Sequence, residues 1–498
     1  MKLKKLIKDI PDIQIKGAKE IEITGISLNS KLVSPGNLFI AKRGKVDDGA
    51  DYISEAIAAG AVAVATDIYD PTLRDVAQLI HPKISSIEGQ LAAQYYQFPS
   101  HDLFSVGITG TNGKTTTSFL VKHLLDGFFG PCGLIGTIEY IIGNSHYQAT
   151  RTTPDVCSNH KMLREMINQG CRSMVMEVSS HALDQDRTYG IDFDVAIFTN
   201  LTLDHLDYHQ TMENYSEAKK KLFTSLNNQD KKKKCHPHPS TAVINVDSNW
   251  HQQIIEGCQS NVMTYGIVAQ ADLRATDLNL SAKGTHFKIH YQGKIANCFS
   301  PYIGRFNVYN YLAAVAVGLI RKISLSEIVD RFKTMQMVPG RMERVPNDLG
   351  INIYIDFAHS DDALRNVFEN LIEIKKGRVL AVFGCGGDRD KSKRPKMAEA
   401  CEAYADLTIV TNDNPRSENP EKICSEIIRG FSKGDYIVEL DRKEAIRKAI
   451  EWALPDDIIL IAGKGHEPYQ IFAHHTIEFD DRLVAAEFCR HAELNRQK

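Results

Sequence analysis

No apolar run in the 498-residue sequence comes near the ~20 residues a helix needs to cross a bilayer; the longest, AIAAGAVAVA at 56–65, is far shorter. The opening MKLKKLIKDIPDIQIKG is basic but lacks the apolar core of a secretion signal. Excess charge of one sign is missing too. With 59 basic and 62 acidic residues the net charge is -3, so no broad basic face invites nucleic acid and no acidic tail marks disorder. The ten cysteines form no CxxC pair and no Cys/His cluster with zinc spacing, which removes a disulfide framework and a structural zinc site. Internal repeats are absent. The expectation is a soluble cytoplasmic monomer with no nucleic-acid or membrane partner, in which local geometry must hold any bound anion.

The length suggests roughly three domains, and the chain divides into blocks at 1–97, 98–338 and 339–498. The expected fold class is α/β. The first block mixes short strands with a small-residue helix at 53–61. The third alternates strand-length apolar runs (351–358, 378–384, 406–411, 436–440, 457–463) with helical patterns (362–376, 397–405, 421–431, 442–454), the signature of βαβ units and a mostly parallel sheet. Ligands of such sheets sit at the carboxyl ends of the strands. Four of these strands run into polar or glycine-rich sequence: DFAH, GCGGDRD, TNDNPR and AGKGHE. The stretch NNQDKKKKCHPHPS (227–240) reads as a solvated surface loop.

The middle block opens with a strand, a glycine-rich loop and a helix, SVGITGTNGKTTTSFLVKHLL (105–125). Backbone N–H groups of Gly110, Thr111, Asn112 and Gly113, with the helix N-terminus, make an anion cradle. Lys114 can reach a terminal phosphate, Thr115 can place a hydroxyl on Mg²⁺, and Thr116 continues the helix. Ile108 stands where the full P-loop pattern has its first glycine, so the match is to the shorter GxxGKT core. The alternative is a plain glycine turn before a helix. Glu177 ends the apolar run SMVME (173–177) and suits a hard cation, although a glutamate at a strand end is more often a surface residue. FDVAIFTNLTLDHLDYH (193–209) runs into Asp204, His205, Asp207 and His209, either metal-capable side chains or a polar loop with helix-capping aspartates. In the helix MENYSEAKKKLFTSL (212–226), Lys219, Lys220 and Lys221 read by spacing as a solvated face.

Beyond these features, GTNGKTTT (110–117), TTPD (152–155), EVSSHAL (177–183), TNLTLDHLDYH (199–209), YSEAK (215–219), FNVYN (306–310), GRMERV (340–345), GCGGDRDK (384–391), DNPR (413–416) and AGKGHE (462–467) together resemble the Mur ligases, in order and over nearly the whole chain. The resemblance implies a small N-terminal α/β domain binding UDP, a central P-loop ATPase-type domain and a C-terminal Rossmann-like domain binding an amino acid. It implies an ATP-dependent, Mg²⁺-requiring ligase of peptidoglycan precursor synthesis. ATP would be held by residues 110–116 and Asn307, with Asn310 nearby. Thr115, Glu177, His205 and Lys219 would be metal ligands, Lys219 after carbamylation by CO₂; Lys114, Glu177, His205 and Lys219 would be the catalytic set. For the UDP-N-acetylmuramoyl dipeptide it implies Ser30, Thr152, Thr153, Ser179, Gln185 and Arg187, although Asn29 and Lys31 stand where relatives more often have Asp and Arg.

For the incoming amino acid the resemblance implies meso-diaminopimelate, held by Arg389, Asp413, Asn414, Pro415, Arg416, Gly463 and Glu467. The chemistry of DNPR agrees. Meso-diaminopimelate is lysine with a second carboxylate, and an arginine fork is the best side chain for binding a carboxylate. A lysine-adding relative, which would lack that arginine, is the runner-up. Folylpolyglutamate synthetase shares the phosphate core but would carry neither DNPR nor the first block. A non-catalytic nucleotide-binding relative would be free to lose Lys114, Thr115, Glu177, His205 and Lys219. Phe357 and Ser360-Asp361 stand where relatives have Tyr and Thr-Pro, so the loop around His359 is given no catalytic role.

Overall fold

A computed structural model describes residues 1–44, 48–228 and 239–496. The lysine run of the expected 227–240 loop lies outside the described residues. Three separate sheets carry the chain, with a small hairpin added near the end.

The first sheet has five short strands, four parallel and one antiparallel edge strand at Gln14–Lys16. Its core takes in Val156 and Cys157 of the central helix Val156–Asn168, so apolar burial ties this unit to the next. The same helix sends Arg164 back to the Tyr96 and Gln97 carbonyls.

Eleven strands form the central sheet. Strand β1 (Phe104–Thr109) lies between the parallel strands β2 (Ser173–Glu177) and β3 (Val195–Phe198). All residues of β1, β2 and β3 are buried, as expected of a parallel sheet covered on both faces, where sequence runs apolar instead of alternating. Helix α1 (Lys114–Phe129) starts at Gly113, whose φ of 85° most side chains would strain to adopt. Helix α2 (Met212–Thr224) packs on the opposite side, and α3 (Arg305–Ile320) lies against α1. RFNVYNYLAAVAVGLI is apolar nearly all round, and such a helix belongs in an interior; its residues 310–318 are buried. Antiparallel strands over 273–300 extend one edge of this sheet, and a hairpin at Glu139–Gln148 extends the other.

The last sheet has six strands in the order 343–345, 352–356, 458–462, 379–383, 407–410, 436–438. Five are parallel, as the alternating pattern predicts; the edge strand Glu343–Val345 is antiparallel. The pattern does not reveal that strand, because three residues are too few to show a period. The 53–61 helix stops at Ala58, where the chain turns through Gly60 at φ 103°. The hairpin Tyr469–Glu478 closes over the carboxyl end of the last sheet and pairs Phe472 with Arg416.

Candidate active site

The phosphate loop leaves β1 at Thr109 and enters α1 at Lys114. Two glycines are fixed by contact as well as conformation. A Cβ on Gly110 would lie 1.9 Å from Thr199 Oγ1, and one on Gly113 would lie 2.4 Å from Asn310 Oδ1. The Asn200 side chain accepts from the Asn112 amide at 2.9 Å. Lys114 folds over its own loop, donating to the Gly110 and Thr111 carbonyls at 2.9 and 2.8 Å. Burial lowers its pKa, partly offset by Glu177 and Asp204.

Glu177 is fully buried, contrary to the usual place of a glutamate at a strand end. It accepts from the Thr115 hydroxyl at 3.0 Å, from the Thr137 hydroxyl and amide at 3.0 Å each, and from Ser118 at 3.5 Å. A Cβ on Gly136 would come within 2.4 Å of its Oε1, so that glycine makes room for the carboxylate. Arg341, arriving from the far side of the cleft, donates to Thr115 Oγ1 at 3.3 Å. Sequence reasoning assigned no role to Thr137 or Arg341. GRMERV was visible as a motif, but its reach to Thr115 is a tertiary fact; Thr137 carries no sequence signal.

The residues expected to hold the UDP-linked peptide form one cluster beside Glu177, with a single exception. Thr153 Oγ1 donates to the Glu177 carbonyl at 2.7 Å and accepts from Ser179 N at 3.0 Å. Thr152 meets Thr137 at 3.1 Å. Arg187 reaches the Thr153 carbonyl at 3.0 Å and Gln185 Oε1 at 2.6 Å. Ser30 is the exception: it lies in the first sheet's unit, where its hydroxyl donates to Glu55 at 2.7 Å.

The three lysines of α2 separate cleanly, which corrects the reading of a solvated face. Lys220 pairs with Glu217 and Glu256, and Lys221 with Asp184. Lys219 is 1% exposed, sits 4.5 Å from the Tyr215 ring and donates to the Gly110 carbonyl at 2.8 Å. Burial and the nearby Lys114 pull its pKa well below the ordinary lysine value. A signal was available: Tyr215, Ala218, Lys219 and Leu222 share the i, i+3, i+4, i+7 stripe of a buried helix face.

His205 adopts φ 54°, lies 3.6 Å from Asp204 and meets His181 edge-on at 5.0 Å. Burial lowers its pKa and favours the neutral imidazole. His209 is held by Ser180 at 2.9 Å, a structural role. Among the described residues no three His, Cys, Asp or Glu side chains converge as a ready-made metal cluster. A cation here would combine a single carboxylate with hydroxyl and phosphate oxygens. Thr115 and Glu177 fit Mg²⁺, since both offer oxygen to a hard ion. His205 and Lys219 fit a second ion only if the lysine amine gains oxygen ligands.

Both sides of the cleft line one cavity of about 770 Å³. The central unit contributes Thr111–Thr116, Glu177, Asp204, His205, Asn307 and Asn310. The last unit contributes Arg341 and Asp356–Ser360. Asn307 donates to the Ile303 carbonyl at 2.9 Å and accepts from Asn310 at 3.0 Å. Thr202 meets Asp362 across the cleft at 3.1 Å. The Arg341 guanidinium lies 4.9 Å over Phe357, which packs 4.7 Å from His359. His359 hydrogen-bonds its own loop at Phe357 O; partial desolvation in the cleft and the charge of Lys393 lower its pKa, while Asp413 raises it. Ser360 caps the helix Asp361–Ile374 by accepting from Ala363 N, so the departure from Thr-Pro leaves a sound N-cap.

Past His359, the DNPR and AGKGHE loops meet. Asp413 is buried, and its Oδ1 accepts from Asn414 N at 2.6 Å. A Cβ on Gly463, at φ 109°, would lie 2.6 Å from Asp413 Oδ2. Asn414 donates to Glu467 at 2.7 Å. Arg416, at φ 51°, donates to the Gly387 carbonyl at 2.8 Å, and a Cβ on Gly387 would collide with the Pro415 carbonyl. Arg389 is exposed on the neighbouring loop and donates to the Asp388 carbonyl at 3.1 Å. Arg394, fully buried, ties that loop to this one through Glu418 at 3.0 Å. Asp413, Asn414, Gly463 and Glu467 thus form one cluster at the strand ends, and Arg416 and Arg389 both lie against the neighbouring Gly386.

Comparisons with known proteins agree over the full length. Residues 22–96 match "Mur ligase family, catalytic domain", 108–318 match "Mur ligase middle domain" and 340–465 match "Mur ligase, glutamate ligase domain". A Chlamydia felis protein is 45% identical over 98% of this chain and 99% of its own length. A Bacillus cereus protein is 42% identical over 98% of each. Both are named UDP-N-acetylmuramoyl-L-alanyl-D-glutamate–2,6-diaminopimelate ligase. A solved structure of a ligase of that name is 31% identical and superposes with a TM-score of 0.69 over 99% of both chains.

Proposed function

Because the chain belongs to the Mur ligase family, we propose that it is the ATP-dependent ligase that joins meso-2,6-diaminopimelate to UDP-N-acetylmuramoyl-L-alanyl-D-glutamate, releasing ADP and phosphate. The observation that carries this reading is the junction between its two half-sites. Arg341, Phe357 and His359 run as one contact chain from Thr115 of the central unit into the last unit, where Lys393 donates to the His359 carbonyl at 2.7 Å. In this reading the phosphate loop and the arginine-bearing DNPR loop are the two half-sites of the reaction.

A carboxylate cannot react directly with an amine, because its oxygen is a poor leaving group. The D-glutamyl carboxylate attacks the γ-phosphorus of ATP, the bond to the β-bridging oxygen breaks, and ADP leaves behind an acyl phosphate. The free amine then attacks the carbonyl carbon, loses a proton, and phosphate departs with the bonding pair. Catalysis here is positioning and charge stabilisation. The phosphate-loop amides and Lys114 hold the phosphates, which requires the lysine to swing off the Gly110 and Thr111 carbonyls. Thr115 and Glu177 would hold one Mg²⁺, and His205 with carbamylated Lys219 a second; such ions would supply positive charge to the transferring group. The depressed basicity of Lys219 favours the neutral amine that CO₂ needs. Thr152, Thr153, Ser179, Gln185 and Arg187 bind the muramyl peptide beside Glu177. Ser30 lies at the uridine end and Asn307 by the adenine. Arg416 and Arg389 take the distal carboxylate of diaminopimelate, and Glu467 its distal ammonium. Closure of the last unit about residues 338–341 shields the acyl phosphate from water.

ADP release, measured with ATP, the muramyl dipeptide and either meso-diaminopimelate or L-lysine, tests this reading. Turnover with meso-diaminopimelate and little with lysine is expected. Equal use of lysine overturns the choice of amino acid, and no turnover with either overturns the ligase. The chain acts on soluble small molecules, and no described helix is long and apolar enough to cross a membrane.

A further inference from the structure

Between Gly463 and Glu467 sits a lysine that the reaction above leaves unused. Lys464 has no exposed surface, an unusual place for an ammonium unless its partners are specific. It donates to the Tyr469 carbonyl, to Asn414 Oδ1 at 3.3 Å and to Glu467 Oε2 at 3.3 Å. Asn414 Oδ1 accepts a second hydrogen bond, from Ile471 N at 3.0 Å. With two donors on its oxygen the amide has one sensible orientation. Its NH₂ faces away from the lysine and donates to Glu467 Oε2 at 2.7 Å. Both of these side-chain donors to Glu467 therefore converge on Oε2, which leaves Oε1 for a ligand. The same hairpin backbone holds Arg416, whose N–H donates to the Ile471 carbonyl at 3.0 Å.

We propose that Lys464 is a positioning residue for recognition of the distal ammonium of the incoming diamino acid: it locks the amide of Asn414 and engages one oxygen of Glu467, so that the other is presented to the ligand. The inference rests on the assignment of this pocket to meso-diaminopimelate. The physical reason is orientational. A glutamate held by the amide alone could rotate about its terminal torsion, and the amide would keep only the Ile471 N–H on its oxygen. The buried ammonium removes the first freedom and reinforces the second restraint before the ligand arrives, which lowers the cost of binding. Oε2 then faces Lys464 and Oε1 the ligand, so one carboxylate bridges two cations.

Lys464→Met keeps the aliphatic stem and removes the donor. ADP release is compared for meso-diaminopimelate and for 2-aminopimelate, which lacks the distal amine. The intact chain should prefer meso-diaminopimelate in kcat/KM. In the variant the KM for meso-diaminopimelate should rise about tenfold or more, with kcat and the KM values for ATP and the muramyl dipeptide little changed. The preference over 2-aminopimelate should fall by a similar factor, because the group that reads the amine is no longer held. A purely structural lysine would weaken both amino acids equally; an unchanged preference in a folded variant overturns the proposal. Should the methionine variant not fold, Lys464→Arg is read in its place. Its planar fork cannot meet the same three acceptors, so the preference should fall at least about threefold, and a wild-type preference overturns the proposal. If the intact chain releases no ADP with meso-diaminopimelate, the pocket assignment falls and this inference with it. Wild-type turnover with unaltered preference in the variants removes only the role of Lys464.

Discussion

Arg416→Ala is the perturbation that separates recognition from stability most cleanly. Among the described residues the guanidinium makes one hydrogen bond, to the Gly387 carbonyl at 2.8 Å. Its backbone N–H goes to the Ile471 carbonyl, a bond alanine keeps. The residue sits at φ 51°, but alanine carries the same Cβ, so the substitution adds no backbone strain. The folding cost is that of one exchanged hydrogen bond, about 1 kcal/mol. The binding cost is larger. Leaving an enclosed carboxylate without its charged partner costs about 2–5 kcal/mol. At about 1.4 kcal/mol per factor of ten, that is roughly a 30- to 4,000-fold fall in kcat/KM for meso-diaminopimelate. L-Lysine has no second carboxylate, so its slow turnover should change by less than about threefold. The assay is ADP release with each amino acid at saturating ATP and muramyl dipeptide, with a thermal melt to confirm folding. A parallel fall for both amino acids, or unchanged kinetics, refutes the reasoning.

Glu177→Gln should lower kcat at least about 100-fold, since an amide is a poor ligand for a hard cation. Its NH₂ would also face one of the donors now shared among Thr115, Ser118 and Thr137, so a melt is run beside an Mg²⁺ titration of activity; activity within fivefold of wild type would remove Glu177 from the metal site. Lys219 should gain the mass of one CO₂ when bicarbonate is present, since its buried, weakly basic amine favours the neutral form that reacts; full activity in CO₂-depleted buffer with no mass change would exclude the carbamate. His160 governs a pH effect on stability. It is fully buried, its Nε2 meets the Tyr189 carbonyl at 2.8 Å, and its Nδ1 finds no hydrogen-bond partner among the described residues. Burial depresses its pKa to about 4, from 6.5. The unfolded chain therefore takes up the proton first. The stability contributed by His160 is whole above pH 6.5 and falls by about 3 kcal/mol as pH drops to 4. Denaturant melts across that range should show a flatter profile in His160→Asn, and parallel profiles would contradict the assignment.

Several features lay open in the linear order of residues. The alternation of apolar runs and helical stripes from 351 to 463 fixes a parallel βαβ unit, because periodicity is set by local geometry. The glycine-rich turn before Lys114 and the arginine of DNPR are likewise chemistry written in residue types. Other features exist only once distant segments pack. Glu177 looked like an exposed strand end until β1, α1 and the 137 loop closed around it. Lys219, Lys220 and Lys221 are identical in type, yet only the first faces inward, because α2 turns about 100° per residue and a single stripe meets the core. The antiparallel strands at 273–300 and 343–345 depend on which edge remained free to pair. Arg341 and Lys464 gained their partners from segments about 226 and 50 residues away. A residue's type and the local period can be read along one chain; which carbonyl or carboxylate stands opposite it is decided by the packing of segments remote in sequence, and that packing made a site of these residues.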